Sequence, residues 1–461
     1  MDRQTVGGAH PGAQSADNMA AGERPAEIPR RNLLKGMGAG ALSIGAGGIL
    51  AACSSGLKGS GGPSASTSTI TIGFITPRTG PLAGFASGDN YVVDTIRKTS
   101  AYSGGFKVGG KTYQVNIVTA DSQSDPNRAS QVARQLILQN HVDMILTTST
   151  PETTNPVAAV CQAQSVPCLS TVCPWESWYK ALGGNPVNPT KTFQFATLFF
   201  FGLKEFQGTF VPIWNRINTN KSVACMYPND ADGTAFRVAF EPLVKASGYK
   251  VVDGGAYTDG TTNFTSMISQ FKSAGAEVYS NAPLPPDFNT FWKQAAQQGW
   301  KPKIATVAKV LLFPADTVAL GPLVKNIATD SWWGPYMPNK SSLNGQSAKD
   351  LADGYQSATG QQWVQSIGST YSLFEVAKEA FTAVSDPHDK TAVAAALHKV
   401  NYTGMCGPLD FAAGPAPGVG IVKPVGVQWK PGTKFPWEMQ VVDNSLNRSV
   451  PVTANLDPTN A

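Results

Sequence analysis

The chain has 461 residues, with 36 Lys and Arg against 31 Asp and Glu, a net charge of +5 at pH 7. Only 15% of residues are charged and 42% are hydrophobic, which excludes a disordered polyampholyte, because that much apolar content can bury a core. So small a positive balance excludes a nucleic-acid-binding footprint, and six cysteines in a chain this long do not make a disulfide-built scaffold.

Residues 1–29 are polar, rich in Ala and Gly, and show no hydrophobic periodicity. Arg30-Arg31-Asn32-Leu33-Leu34-Lys35 follows, and then an uncharged run from Gly36 to Ala52 that ends in Leu50-Ala51-Ala52-Cys53. A basic region, a short apolar region and a small-residue boundary make a secretory signal, and the adjacent arginines mark the twin-arginine type. A membrane-spanning anchor needs about 20 strongly apolar residues, whereas this run is 17 residues long and studded with Gly. Leu-Ala-Ala-Cys closely resembles the lipobox of bacterial lipoproteins, which implies lipid on the Cys53 thiol, anchoring the mature chain to the membrane. Residues 1–52 are thus expected to be the signal and 53–69 a Gly/Ser-type tether. Removing the five basic and four acidic residues of the leader leaves a net charge of +4.

The body alternates short apolar strands with amphipathic stretches. Ile70–Ile75 reads as a strand, Thr76–Pro81 as a loop, and Gly88–Ser100 as a helix. Strands at Tyr113–Val118 and Val142–Leu146 flank a helix at Asn127–Gln139, and Pro156–Gln164 opens the next helix before a strand at Cys168. The rhythm returns at Lys221–Tyr227, Phe236–Ser247, Tyr249–Tyr257, Phe264–Ser273, Glu277–Ser280, Phe288–Gly299 and Lys303–Val307. Such alternation predicts an α/β fold with parallel sheets covered by helices on both faces, and the length predicts two lobes.

Gly105-Phe106-Lys107-Val108-Gly109-Gly110-Lys111-Thr112 fits the phosphate-loop pattern letter for letter. A working phosphate loop runs from a strand into a helix, whereas this segment runs into the strand Tyr113–Val118, so it reads as a Gly-rich turn. The chain contains no G-x-S-x-G, no H-E-x-x-H and no C-x-x-C, and the leader-free part holds only His141, His388 and His398. No general base and nucleophile stand out, and neither a metal site nor a cofactor is expected. Binding rather than catalysis is favoured. Cys161 and Cys168 sit on adjacent elements, which allows a disulfide in an oxidising compartment; buried thiols acting as small apolar residues are the alternative.

Ile70–Ala86 (ITIGFITPRTGPLAGFA), Thr119–Ile137, Thr147–Val160, Val166–Trp175, Val223–Phe236 and Met405–Phe411 follow one another in an order and spacing that resembles the branched-chain amino acid and amide binding proteins. These are substrate-binding components of ABC importers with a type I periplasmic-binding fold. The resemblance implies two Rossmann-like lobes, 70–195 with 333–406 and 196–332 with 407–461. They would be joined by three crossovers near Phe193–Thr197, Trp332–Pro335 and Gly407–Phe411. It also implies a small-molecule solute, an ABC permease with its ATPase subunits as partners, no nucleic acid and no catalytic role. A ligand sensor of the same fold, reporting to a signalling partner, is the second reading.

By the same resemblance, Ser149, Thr150 and Thr153 in the Thr147–Pro156 loop, with Val172 and Cys173, would hold a ligand carboxylate or amide. Free amides and hydroxyls at a helix start suit such oxygens; N-capping alone is the plain alternative. Phe85 and Trp175 would supply aromatic walls, and Tyr227, Asp230, Leu284 and Lys309 the second lobe's side. The chain departs from the family there. The segment Ala305–Lys309 has a lysine where an acid clamps the ligand ammonium, Leu284 falls near a family Tyr, and Asp232 replaces an aromatic residue. Ser124 and Thr150 stand where the family's disulfide cysteines fall. An inward Lys309 is expected to favour an anionic solute.

Overall fold

The computed structural model describes residues 69–459, so Cys53, the signal segment and all of the tether before Thr69 lie outside the described residues. The first six strands are β1 (Thr69–Thr76), β2 (Phe106–Val108), β3 (Lys111–Asp121), β4 (Met144–Thr147), β5 (Cys168–Thr171) and β6 (Ala196–Phe199). The next five are β7 (Ser222–Pro228), β8 (Lys250–Tyr257), β9 (Val278–Asn281), β10 (Ile304–Val307) and β11 (Ala328–Ser331). The last five are β12 (Asn401–Gly404), β13 (Gly407–Asp410), β14 (Val419–Gly420), β15 (Val425–Pro431) and β16 (Trp437–Asp443).

One seven-stranded sheet has the order β2-β3-β1-β4-β5-β6-β14, and the other β8-β7-β9-β10-β11-β15-β16. Their central strands pair in parallel, as in Ile72 against both Ile117 and Met144, and Val223 against both Val251 and Val278. Such strands are buried on both faces and read as near-continuous apolar runs, as in Met144–Thr147 and Ile304–Val307. In each sheet the strand order reverses beside its first strand, at β1/β4 and at β7/β9. The crevice beyond the carboxyl ends of the strands at such a point is where open α/β sheets take ligands.

The sheets are joined three times. The chain leaves β6 through Phe200-Phe201-Gly202 into the helix Leu203–Asn215, whose Trp214 indole donates to the Thr306 hydroxyl of β10 at 3.0 Å. It returns from β11 through Trp332-Trp333 and crosses last between β14 and β15. Two of these crossings lie later than the sequence boundaries expected. β6 continues the parallel ladder on β5, Cys168 against Ala196, and β14 adds to β6, Val419 against Leu198, so both belong to the first sheet. Gly407–Asp410, expected to be a crossover, instead pairs antiparallel with Asn401–Gly404 as a hairpin.

The phosphate-loop lookalike is also a hairpin. Gly109 and Gly110 turn between antiparallel β2 and β3 with φ of +56° and +80°, a left-handed pair that glycine adopts without strain. Elements expected from periodicity stand within a few residues of their places. The helix expected from Pro156 starts earlier, spanning Pro151–Gln164, because Pro151 occupies its first turn, where no amide is needed. Cys161 and Cys168 are both buried free thiols, so the disulfide allowed by sequence is not formed. With Cys173, Cys225 and Cys406, also buried and free, they fill core space as small apolar residues.

The helix Ser366–Thr382 is buried along nearly its whole length, and it holds the second crossing against the first sheet. Asp89 links the two, accepting from the Thr76 hydroxyl at the end of β1 and from Thr370 of this helix at 2.7 Å. Trp332 and Trp333 part here. The Trp332 amide donates to Gln365 at 3.0 Å, while the Trp333 ring lies where a Cβ on Gly368 would meet it at 2.1 Å. Gly368→Val is therefore expected to overpack this contact and lower unfolding stability by about 1–3 kcal/mol, read from the urea midpoint at unchanged m-value.

Candidate functional site

A narrow cleft lies between the carboxyl ends of the two sheets, at both reversal points. The first lobe contributes Phe85, Thr150, Pro151, Val172 and Pro174, the crossing Phe200, and the second lobe Phe206, Phe236, Ala282, Ala308, Leu312 and Trp332. The charged lining residues are Asp232, Lys309 and Asp330. The walls stand close, with the Phe85 and Phe313 rings edge to face at 4.7 Å across the cleft and the Phe200 ring against Trp332 at 5.2 Å.

Each polar group arrives on a strand end or a helix start. Thr150 caps the helix Pro151–Gln164, and its carbonyl accepts from the Thr154 hydroxyl at 2.9 Å. Glu152 sits in the first turn, where the helix dipole favours a carboxylate, and accepts from the Thr150 hydroxyl. From the second lobe, Asp230 caps the short helix Ala231–Ala235 by accepting from the Gly233 amide at 2.6 Å. Lys309 follows β10 in a left-handed conformation, φ +67°, and Val172 follows β5 at φ +55°. Such a backbone costs a non-glycine residue roughly 1–2 kcal/mol, and two instances facing one cavity from opposite sheets mark a site.

The Lys309 ammonium is the centre of the polar group. It lies 2.9 Å from Glu152 Oε1, 2.8 Å from Asp230 Oδ2 and 3.0 Å from Asp232 Oδ2, with its side chain only 5% exposed. Glu152 belongs to the first lobe and the two aspartates to the second, so this cluster bridges the cleft. One cation among three carboxylates leaves excess negative charge. The three acidic oxygens lie within 4.8 Å of one another, close enough to hold a metal ion, although the ammonium already fills that position.

Burial and charge pull the cluster apart in protonation. Burial opposes the Lys309 charge, but Asp232, Glu152 and Asp230 outweigh it and hold the pKa well above that of an ordinary lysine. Burial likewise opposes the Glu152 carboxylate, yet Lys309 and the Thr150 hydroxyl hold its pKa below the usual value. Asp232 is pushed up to about 7 by burial, offset in part by Lys309 and reinforced by Asp230 and Glu152. Burial also raises Asp330 to about 7.

The residues expected from sequence divide cleanly. Phe85, Thr150, Val172 and Lys309 line the cavity, and Asp230 touches it through Lys309. Ser149 and Thr153 are fully buried behind the wall, Thr153 bonded to the Ser122 hydroxyl at 2.8 Å. Cys173 faces Asn155, and Trp175 packs beside Gly202. Tyr227 is core, its ring 5.6 Å from Phe236, which takes the cavity place instead. Leu284 caps the helix Pro285–Gln297 and is absent from the lining. The expected anionic preference from Lys309 does not follow from its surroundings, because three carboxylates already surround its charge. Glu152, Phe200, Phe206, Leu312 and Asp330 were missed. An acid two residues before Trp332-Trp333 was the one visible signal, and the rest depend on how the chain crosses between lobes.

Five buried carboxyls give the chain a pH-dependent stability: Asp89 is raised to about 6, and Asp232, Asp330, Glu176 and Asp316 to about 7. Such a group keeps its proton in the folded chain after the unfolded chain has lost it near pH ~4. The folded state is therefore favoured below that pH and loses the advantage as pH rises through about 6 to 7. Thermal unfolding of the ligand-free chain is expected at a lower temperature at pH 8 than at pH 5.5, and Asp330→Asn should flatten that slope.

Several known proteins are similar to this chain. Leu/Ile/Val-binding protein homolog 7 of Brucella suis biovar 1 (strain 1330) is 25% identical over 253 residues, covering 52% of this chain and 59% of that protein. Its namesake from Brucella abortus (strain 2308) is 28% identical over 96 residues, 21% of this chain and 24% of that one. The chain thus matches between about a quarter and three-fifths of these relatives' lengths. Among solved structures, the leucine binding protein LivK of Thermotoga maritima MSB8 superposes with a TM-score of 0.67 at 18% identity, covering 81% of this chain and 99% of that one. A solute binding protein of an ABC transporter from Rhodopseudomonas palustris BisB5, in complex with 3,4-dihydroxybenzoic acid, gives 0.63 at 16% identity, covering 84% and 98%. These structures share the two-lobed α/β fold. The family described as periplasmic binding protein matches residues 69–419, well over half of the sequence, and the chain belongs to that family.

Proposed function

We propose that this chain is the extracytoplasmic solute-binding component of an ABC importer, tethered to the membrane by lipid on Cys53, which captures a small molecule between its lobes and performs no chemistry on it. The observation that carries the reading is the aromatic-walled cavity at the reversal points of both sheets, lined from both lobes. A ligand contacting both walls favours the closed arrangement only through contacts made there, and closure creates the surface a permease reads. The permease and its ATPase subunits are the implied partners. Among the described residues no helix is long and apolar enough to cross a membrane.

The solute has a compact apolar or aromatic body, matched to Phe85, Phe200, Phe206, Phe236 and Trp332. At the Thr150 and Val172 loops, an amide or carbonyl oxygen fits better than a carboxylate, because Glu152 stands in the same helix turn. Structures of similar fold include one solved with isoleucine and one with benzoate, which supports a solute of that size.

Native mass spectrometry of gently purified protein is expected to reveal a co-purified small molecule that it returns unchanged after prolonged incubation. Thr150→Ala should weaken binding of that molecule about three- to tenfold, the worth of one hydrogen bond, in a variant whose circular dichroism shows it folded. A broad solute screen giving no thermal shift on folded protein would contradict the reading. Cys53→Ser should move the exported protein from the membrane fraction to the soluble one; retention in the membrane would contradict the lipid anchor.

A further inference from the structure

The polar side of the cavity is acidic beyond what its own lysine balances. Lys309 is the one cation among the lining residues, and Glu152, Asp230 and Asp232 all lie within 3.0 Å of its ammonium. Two further carboxylate oxygens in the lining have no partner. Asp232 is 4% exposed and Asp330 1% exposed, and the Oδ1 atom of each is buried without a hydrogen bond among the described residues. A buried acceptor left unpaired is costly, and a ligand that supplies the missing donor recovers that energy. The facing wall is built of aromatic rings, Phe200, Phe206, Phe236 and Trp332, whose faces attract cations. An anion placed here would sit beside unpaired carboxylates in a poorly solvated space, where like charges repel strongly.

Building on the solute-receptor reading, we propose that the cleft selects a solute with a positively charged nitrogen head group, such as an amine or amidinium, and that Lys309 is a tethered stand-in for that head group. The head group donates to Asp330 and Asp232 and lies against the aromatic wall. The Lys309 ammonium, held in the three-carboxylate cage, competes with it and links Glu152 to the second lobe when no solute is present. The same contacts set the pH response. Asp232, faced by Lys309, Glu152, Asp230 and the Cys173 thiol, and Asp330, near Thr329 and Tyr336, are each pushed up to about 7 by burial and so are only partly ionised at neutral pH. A cation drives those protons off, so its binding tightens as pH rises from 6 to 8.

The test uses three probes of one shape, benzamidine, benzamide and benzoate, with calcium chloride as a fourth arm, on the purified chain. Thermal shift and calorimetry are read for wild type, Lys309→Met and Asp330→Asn. Benzamidine is expected to bind the wild type about tenfold more tightly than benzamide or benzoate, as for a charge-assisted hydrogen bond. Lys309→Met should strengthen benzamidine more than it changes benzamide, and Asp330→Asn should erase the preference. If Lys309→Met fails to fold, the ranking on wild type and Asp330→Asn decides. Benzoate binding as tightly as benzamidine, or no benzamidine shift on any folded chain, overturns the proposal. Binding of benzoate or isoleucine in that case leaves the solute-receptor reading standing. An EDTA-reversible calcium shift without a benzamidine shift assigns the cage to a metal ion and likewise overturns it.

Discussion

A single ammonium buried between two lobes organises the centre of this protein. Lys309 cannot be left charged in a cavity walled by phenyl and indole rings unless carboxylates accompany it, because removing an unpaired ion from water costs several kcal/mol. Glu152 comes from one lobe and Asp230 and Asp232 from the other, so satisfying that one charge also draws the two sheets together. The left-handed backbone at Lys309 is tolerable in this setting: the cluster fixes the side chain, and the strain is borne by contacts made across the cleft.

The surroundings of the cluster follow from topology. Each sheet reverses its strand order beside its first strand, which opens a crevice at the carboxyl ends, and the three crossings bring those crevices face to face. The crossing segments also furnish the walls. Phe200 follows β6 and Trp332 follows β11; the Phe200 amide donates to the Gly420 carbonyl and the Trp332 amide to the Gln365 side chain, and the two rings meet at 5.2 Å. Crossing segments and cavity wall are thus partly the same residues, so a change at the crossings would also move part of the wall.

Much of the scaffold was legible along the chain. The strand Ile70–Ile75, the alternation that follows it and the turn at Gly109-Gly110 depend on local periodicity and on glycine, which neighbouring residues suffice to specify. The helix start at Pro151 was misplaced because Pro156 looks like a beginning, although it lies within the first two turns of a helix already under way. The lobe boundaries were displaced for another reason. Ala196–Phe199 and Val419–Gly420 are short and apolar, and only their ladder partners on β5 and β6 say which sheet they join.

By itself the sequence determined the class of fold and the loop ends on which Thr150, Val172 and Lys309 stand, since both are written in local composition and spacing. Tertiary structure alone decided what those residues face. It turned Tyr227 into core and Phe236 into wall, left Cys161 and Cys168 as buried free thiols, and placed three carboxylates around a lysine that looked unpaired. The physical reason is that charge and burial are properties of neighbours in space. The lysine's nearest acids are 79, 77 and 157 residues away along the chain, and nothing short of the folded arrangement brings them within 3.0 Å of its ammonium.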